Sequence, residues 1–214
     1  MTNNNVLIEE RLHGLEHIIH SIHHNIDLLE FMAYNLHKER FNLFNNLGLN
    51  YIWGSLMGEV LLDFYKVSNR REKHSFQKIL NFSKELKFKI EYEKIQGKID
   101  QLTEFYEKSD FETVRSKYLA HQDLGVPEIK TDLPSLKTFK AIIFELFDLI
   151  TGQFGRKNVD FHNDVKSSFS EIFNAIDEYD EISSFLLANA IKGAKTVEIS
   201  EIQAIIEKRE KNSS

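Results

Sequence analysis

The chain has 214 residues, a net charge of −6 and no cysteine. Without cysteine it can form no disulfide, no thiolate metal site and no cysteine nucleophile. The polar start Met-Thr-Asn-Asn-Asn lacks the apolar stretch of a signal peptide, and the chain has no run of about 18 apolar residues that could cross a bilayer. We therefore expect a cytoplasmic protein without a membrane segment.

The charge is distributed unevenly along the chain. Ten basic and four acidic residues lie between Lys66 and Lys98, so this stretch carries +6 and the remainder carries −12. The pattern is compatible with a basic face on an acidic protein. It is also compatible with the solvated surface of ordinary helices, which is the favoured interpretation, and both stay open.

Apolar periodicity predicts long helices in the first half of the chain. The first helix is expected from Val6 to Asn45 and the second from Asn50 to Val67. After the polar connector Ser68–His74, helix is expected from Ser75 to Lys108, with a break near Phe88. Apolar residues recur in the first helix at alternating steps of three and four, which predicts a seam facing a partner helix: Leu12, Leu15, Ile19, Ile22, Ile26 and Leu29.

Start and stop signals divide the second half. Ser109 and Glu112 have the spacing of a capping box, which predicts a short helix from Asp110 to His121. Pro134 suits the first turn of another helix, rich in Phe and Leu, that runs to Thr151. Such a helix is expected to be buried or to lie in an interface.

Two more helices are expected after the linker, at Asp164–Ala190 and Ser200–Lys208. The sequence therefore predicts an all-α protein. Residues 1–155 form a helical bundle that includes the long first helix, and residues 156–214 form a helical extension.

Four histidines form a stripe on the first helix: His13, His17, His20 and His24. Steps of four place His13 and His17, and likewise His20 and His24, one turn apart, a spacing that can chelate a metal. The stripe faces away from the apolar seam, so an exposed polar face is the favoured interpretation and we assign no metal or cofactor site.

The candidate catalytic residues are Arg115 and His121. A guanidinium grips phosphate with forked donors, and an imidazole titrates near neutrality and can pass a proton. Together these groups could cleave RNA without a metal. The alternative is structural, with Arg115 paired to a carboxylate and His121 satisfied at a helix end.

Spacing alone does not select this pair. Arg-x5-His also occurs at Arg11/His17 and at Arg156/His162. Around Arg115, however, the sequence predicts a short helix with an apolar stripe of Phe111, Val114 and Tyr118, and the pair flanks that stripe. This context favours Arg115 and His121.

The string Arg-x-Lys-x-x-Ala-His-x-Asp, from Arg115 to Asp123, resembles the signature of HEPN domains, and the abortive-infection branch of bacterial phage defence in particular. The resemblance covers about residues 25–155. It implies a HEPN-like bundle that works as a homodimer, with two Arg/His pairs in one cleft. The implied activity is that of a metal-independent RNA endonuclease of defence or toxin type, with an antitoxin or regulatory protein as a possible further partner.

The resemblance also implies roles for the neighbouring residues. Lys117 would contact phosphate and Asp123 would orient His121, and we group both with Ser116 as substrate-binding residues. Active members often have Asn, Asp or His directly after the arginine, where this chain has Ser116. That difference keeps a second expectation open, a catalytically inactive module that binds RNA or a protein.

Overall fold

The computed structural model describes residues 3–36, 47–120 and 132–156, together with the single helical positions 182, 184–186, 188 and 204. Contacts divide the chain into two units. The first comprises residues 1–34 and 42–163, and the second comprises residues 35–41 and 164–214. Every element in the described ranges is an α-helix, so the predicted all-α class is confirmed.

Two long helices begin the first unit. They are α1, Asn3–Leu36, and α2, Leu47–Ser68. All six residues of the predicted seam in α1 are completely buried, which confirms the seam. The predicted C-terminal part of this helix, up to Asn45, lies outside the described residues.

A connector leads from α2 to α3, Phe76–Glu85. Ser75 caps α3, because its hydroxyl accepts a hydrogen bond from the backbone N–H of Lys78 (3.3 Å). The predicted break is confirmed: Lys87 adopts a φ of 56° beyond the end of α3. The chain then continues as α4, Tyr92–Lys108.

Helix α5, Phe111–Ala120, and helix α6, Leu133–Gln153, complete the described elements. Asp132 caps α6, with Pro134 in the first turn as predicted. The described bonds of Ser109 do not include the predicted capping box. Its hydroxyl donates to the Phe105 carbonyl (2.5 Å), its backbone N–H donates to the Tyr106 carbonyl at the end of α4, and Asp110 has a φ of 28° between the two helices.

Aromatic rings from four helices meet in the core. The Phe139 ring of α6 packs against Phe64 of α2 (centroids 4.3 Å apart), Phe105 of α4 (5.6 Å) and Phe111 of α5 (5.5 Å). The α1 seam belongs to the same apolar cluster. The cluster therefore fixes the position of α5, which carries the candidate site.

No described helix is both long enough and apolar enough to cross a membrane. The helices predicted at 164–190 and 200–208 lie almost wholly outside the described residues. The boundary between residues 155 and 156 stays a prediction.

Candidate functional site

Helix α5 is anchored by one apolar side. Phe111 and Val114 are buried, which confirms two of the three predicted stripe residues, and the side chain of Tyr118 lies outside the described part. Arg115 directly follows Val114 and keeps 20% of its side chain exposed. Arg115, the first residue of the motif, therefore borders a packed surface, and the remaining motif residues after Ser116 lie outside the described side chains.

The Arg115 guanidinium lies over the ring of Tyr65 in α2, with its carbon 3.7 Å from the ring centre. This separation is well within the range of a cation–π contact, which ends at about 6 Å. The stacked face of the guanidinium is covered by the ring. Donors at the edge of the plane are the ones that grip a phosphate in a forked geometry.

Arg115 makes a weak contact with a carboxylate one turn earlier. Its Nη2 lies 4.0 Å from Glu112 Oε1, and the Glu112 side chain is 67% exposed. An ion pair this long, with one solvated partner, contributes little to stability. The structural alternative predicted that Arg115 pairs with a carboxylate. Among the described residues, this long pair with the solvated Glu112 is the only such contact.

A buried phenol lies near the same cation. Tyr106 of α4 is 6% exposed, and its hydroxyl has no hydrogen-bond partner in the described part of the molecule. Burial raises the pKa of Tyr106 to about 12, against the opposing effect of the Arg115 charge. Tyr106 therefore stays neutral at physiological pH and does not offset the positive charge of Arg115.

Ser116 turns its hydroxyl back into its own helix, where it donates to the Thr113 carbonyl (3.0 Å). Lys117 lies in α5, but its side chain is outside the described residues, as are His121 and Asp123 entirely. Whether Arg115 and His121 converge is therefore untested. Sequence analysis missed Tyr65 and Tyr106, which belong to other helices and carry no local motif.

The arginines of the two other Arg-x5-His pairs have structural contacts. Arg11 lies over the Phe82 ring (4.2 Å) and donates to the Lys73 carbonyl (3.4 Å). Arg156 pairs with Glu9 (3.1 Å) and Glu16 (3.2 Å). Arg11 connects α1 to the connector and α3, and Arg156 connects the residues after α6 to α1. The choice of Arg115 among the three arginines stays a prediction.

Part of the basic stretch is paired with carboxylates. Pairs of the stretch in the described residues include Lys66–Asp63 (2.7 Å), Arg70–Asp100 (3.5 Å), Lys94–Glu91 (3.0 Å) and Lys98–Glu145 (2.9 Å). Exposed lysines of the same stretch include Lys78, Lys84, Lys87 and Lys89. These contacts are compatible with a basic face and with an ordinary solvated surface, so both interpretations stay predictions.

Comparison of the chain with protein-family models, with curated proteins and with solved structures finds no match.

Proposed function

We propose that the protein is a metal-independent RNA endonuclease of the HEPN type, in which Arg115 and His121 form the catalytic pair. The observation that carries the proposal is the stacking of Arg115 on Tyr65 at 3.7 Å, with its side chain still partly exposed. A guanidinium held by one face keeps a fixed orientation. Less conformational entropy is then lost when its edge binds a phosphate.

The reaction follows from the chemistry of the two groups. His121 accepts the proton of an RNA 2′-hydroxyl, whose oxygen attacks the adjacent phosphorus, and the bond to the 5′-oxygen breaks as that oxygen takes a proton from solvent water. Arg115 stabilises the negative charge that develops on the phosphate oxygens. The products are a 2′,3′-cyclic phosphate and a 5′-hydroxyl end, and no metal takes part.

The experiment uses the untagged full chain, end-labelled RNA and excess EDTA. We expect cleavage products with cyclic phosphate ends for the wild type. Removal of a group that stabilises developing charge costs about 10²–10³-fold in rate, and we expect at least that loss for Arg115→Ala and for His121→Ala. Arg70→Ala, which removes an exposed arginine paired with Asp100, is the matched control and should cleave normally.

Cleavage that persists in Arg115→Ala or His121→Ala would refute the mechanism. So would products that carry a 3′-hydroxyl, because they require attack by another nucleophile. The proposed dimer is tested separately by sedimentation of the wild type. A chain that cleaves as a strict monomer would exclude a cleft shared by two subunits.

The inactive binding module remains a second candidate because of Ser116. The Ser116 hydroxyl donates to the Thr113 carbonyl within α5. Active HEPN domains often have Asn, Asp or His at this position. This candidate predicts RNA retention without cleavage, and an affinity that falls as the salt concentration rises. The same RNA, measured by filter binding at two salt concentrations, distinguishes it from the nuclease.

A further inference from the structure

Two imidazoles on α1 point their ring nitrogens at each other. His13 Nε2 and His17 Nε2 are 3.1 Å apart, and the ring centroids are 4.4 Å apart. The residues are one helical turn apart, which brings their side chains to the same face. The His13 side chain is 64% exposed and His17 is exposed as well, so solvent reaches both rings.

The separation of the two nitrogens matches the bite of a single transition-metal ion. Nitrogens bound at about 2.1 Å to one ion lie about 3.0 Å apart at a right angle and about 3.4 Å apart at a tetrahedral angle. The observed 3.1 Å falls between these limits. The spacing of the two nitrogens therefore suits one ion, which would take the place of the proton that they share in their hydrogen bond.

A carboxylate occupies the position that usually orients a metal-binding histidine. Glu16 Oε2 lies 3.5 Å from His13 Nδ1, the ring nitrogen that does not face His17. The negative charge of this carboxylate favours the tautomer with the proton on Nδ1, which leaves the lone pair of Nε2 for a metal. Arg156 Nη1, 3.2 Å from the same oxygen, holds Glu16 in place.

We propose that His13 and His17 form a binding site for a divalent transition metal, with Glu16 as the carboxylate that orients His13. Imidazole ligands suit Zn²⁺, Cu²⁺ and Ni²⁺ and disfavour Mg²⁺ and Ca²⁺. No group of three metal-binding side chains occurs among the described residues. Of these residues, His13 and His17 would bind the ion, and water would fill its other coordination positions. The site is exposed and shares no residue with the proposed catalytic pair, so it does not depend on the proposed nuclease activity.

The test titrates ZnCl₂ into the untagged full chain by calorimetry. Because His20 and His24 are a second close pair (centroids 4.1 Å apart), the titration is also made in a His20→Gln/His24→Gln background. We expect one Zn²⁺ per chain to remain in that background. His17→Gln added to it should weaken binding roughly tenfold or more, because a direct ligand is worth at least as much as an orienting group.

Glu16→Gln tests the orienting carboxylate, and we expect binding to weaken about 10–100-fold. Glu10→Gln, an exposed carboxylate on the same helix, is the matched control and should bind like the wild type. Circular dichroism at 222 nm checks that each variant keeps its helices. If a variant does not, electron paramagnetic resonance of Cu²⁺ on the His20→Gln/His24→Gln background replaces it, and coupling to two nitrogens is expected.

Absence of Zn²⁺ binding to the His20→Gln/His24→Gln background at about 1 mM would overturn the proposal. Unchanged affinity after His17→Gln would overturn it too, as would Cu²⁺ coupled to fewer than two nitrogens. Equal affinities of Glu16→Gln and Glu10→Gln would remove the carboxylate from the site.

Discussion

The Arg115 guanidinium stacks on the Tyr65 ring, with 3.7 Å between the guanidinium carbon and the ring centre. The contact joins α2 to α5, two helices that already pack together. It therefore links the orientation of the candidate phosphate-binding group to the packing of the bundle. A motif that sequence analysis placed on one short helix depends on a residue in a different one.

This relationship predicts a measurable coupling between the two side chains. In a double-mutant cycle of Tyr65→Leu and Arg115→Met, we expect a coupling free energy of about 0.5–2 kcal/mol, the range of cation–π contacts from exposed to desolvated sites. Tyr65→Phe keeps the ring and should retain most of the coupling. Urea denaturation measures the free energy of unfolding of the wild type, the two single variants and the double variant. A coupling of zero within error would contradict the stacking.

The aromatic core predicts a large loss of stability for Phe139→Ala. This ring is fully buried and contacts Phe64, Phe105 and Phe111, so its removal leaves a cavity that the neighbouring helices cannot fill. We expect the free energy of unfolding to fall by about 3–5 kcal/mol. Tyr51→Ala, where the side chain is 78% exposed, is the control and should change it by less than about 0.5 kcal/mol. Similar effects of the two substitutions would refute this core assignment.

Sequence periodicity predicted the elements well where one face of a helix decides burial. The α1 seam followed from apolar steps of three and four, and all its members are buried. The break near Phe88 was predicted as well, although the left-handed φ of Lys87 was not. The Ser109 capping box failed because α5 begins at Phe111, and Asp110, which the box would place in the first helical turn, has a φ of 28°.

The surroundings of the candidate site were beyond local patterns. Tyr65 and Tyr106 meet Arg115 only because α2, α4 and α5 pack together around the aromatic core. No spacing within α5 contains that information. The one-turn spacing of His13 and His17 predicted that their rings lie close together, and their ring nitrogens are 3.1 Å apart. The contacts of Glu16 with His13 and with Arg156 could not be predicted from spacing, because Arg156 reaches α1 only in the folded chain.

We expect His74 to lower the free energy of unfolding of the protein in mild acid. Its pKa is lowered from 6.5 because the ring is partly buried, and because Lys73 and Arg11 repel its charged form. The unfolded chain therefore takes up the proton first as the pH falls below about 6.5, which favours unfolding until the folded protein is protonated too. Above this window both states are neutral and His74 contributes no pH dependence.

The measurement compares the wild type with His74→Gln by urea denaturation at pH 8 and pH 5.5. We expect the wild type to lose more stability between these values than the variant, because the variant lacks the titrating ring. Other histidines affect both proteins equally and cancel in the comparison. Equal losses would show that His74 is no more difficult to protonate in the fold than in the unfolded chain.

Gly14 and His74 form a close contact that predicts opposite effects for two glycine substitutions. A Cβ at Gly14 would run into the imidazole of His74, whereas a Cβ at Gly58 of α2 would meet nothing within 4 Å. Alanine favours helix over glycine, so Gly58→Ala should stabilise the protein by about 0.5–1 kcal/mol. Gly14→Ala should instead destabilise it by about 1–3 kcal/mol, since the ring is forced out of its packed position. Adding His74→Ala removes the obstacle and should recover part of that loss in thermal or urea unfolding; a stabilising Gly14→Ala would show that the imidazole does not pack against α1.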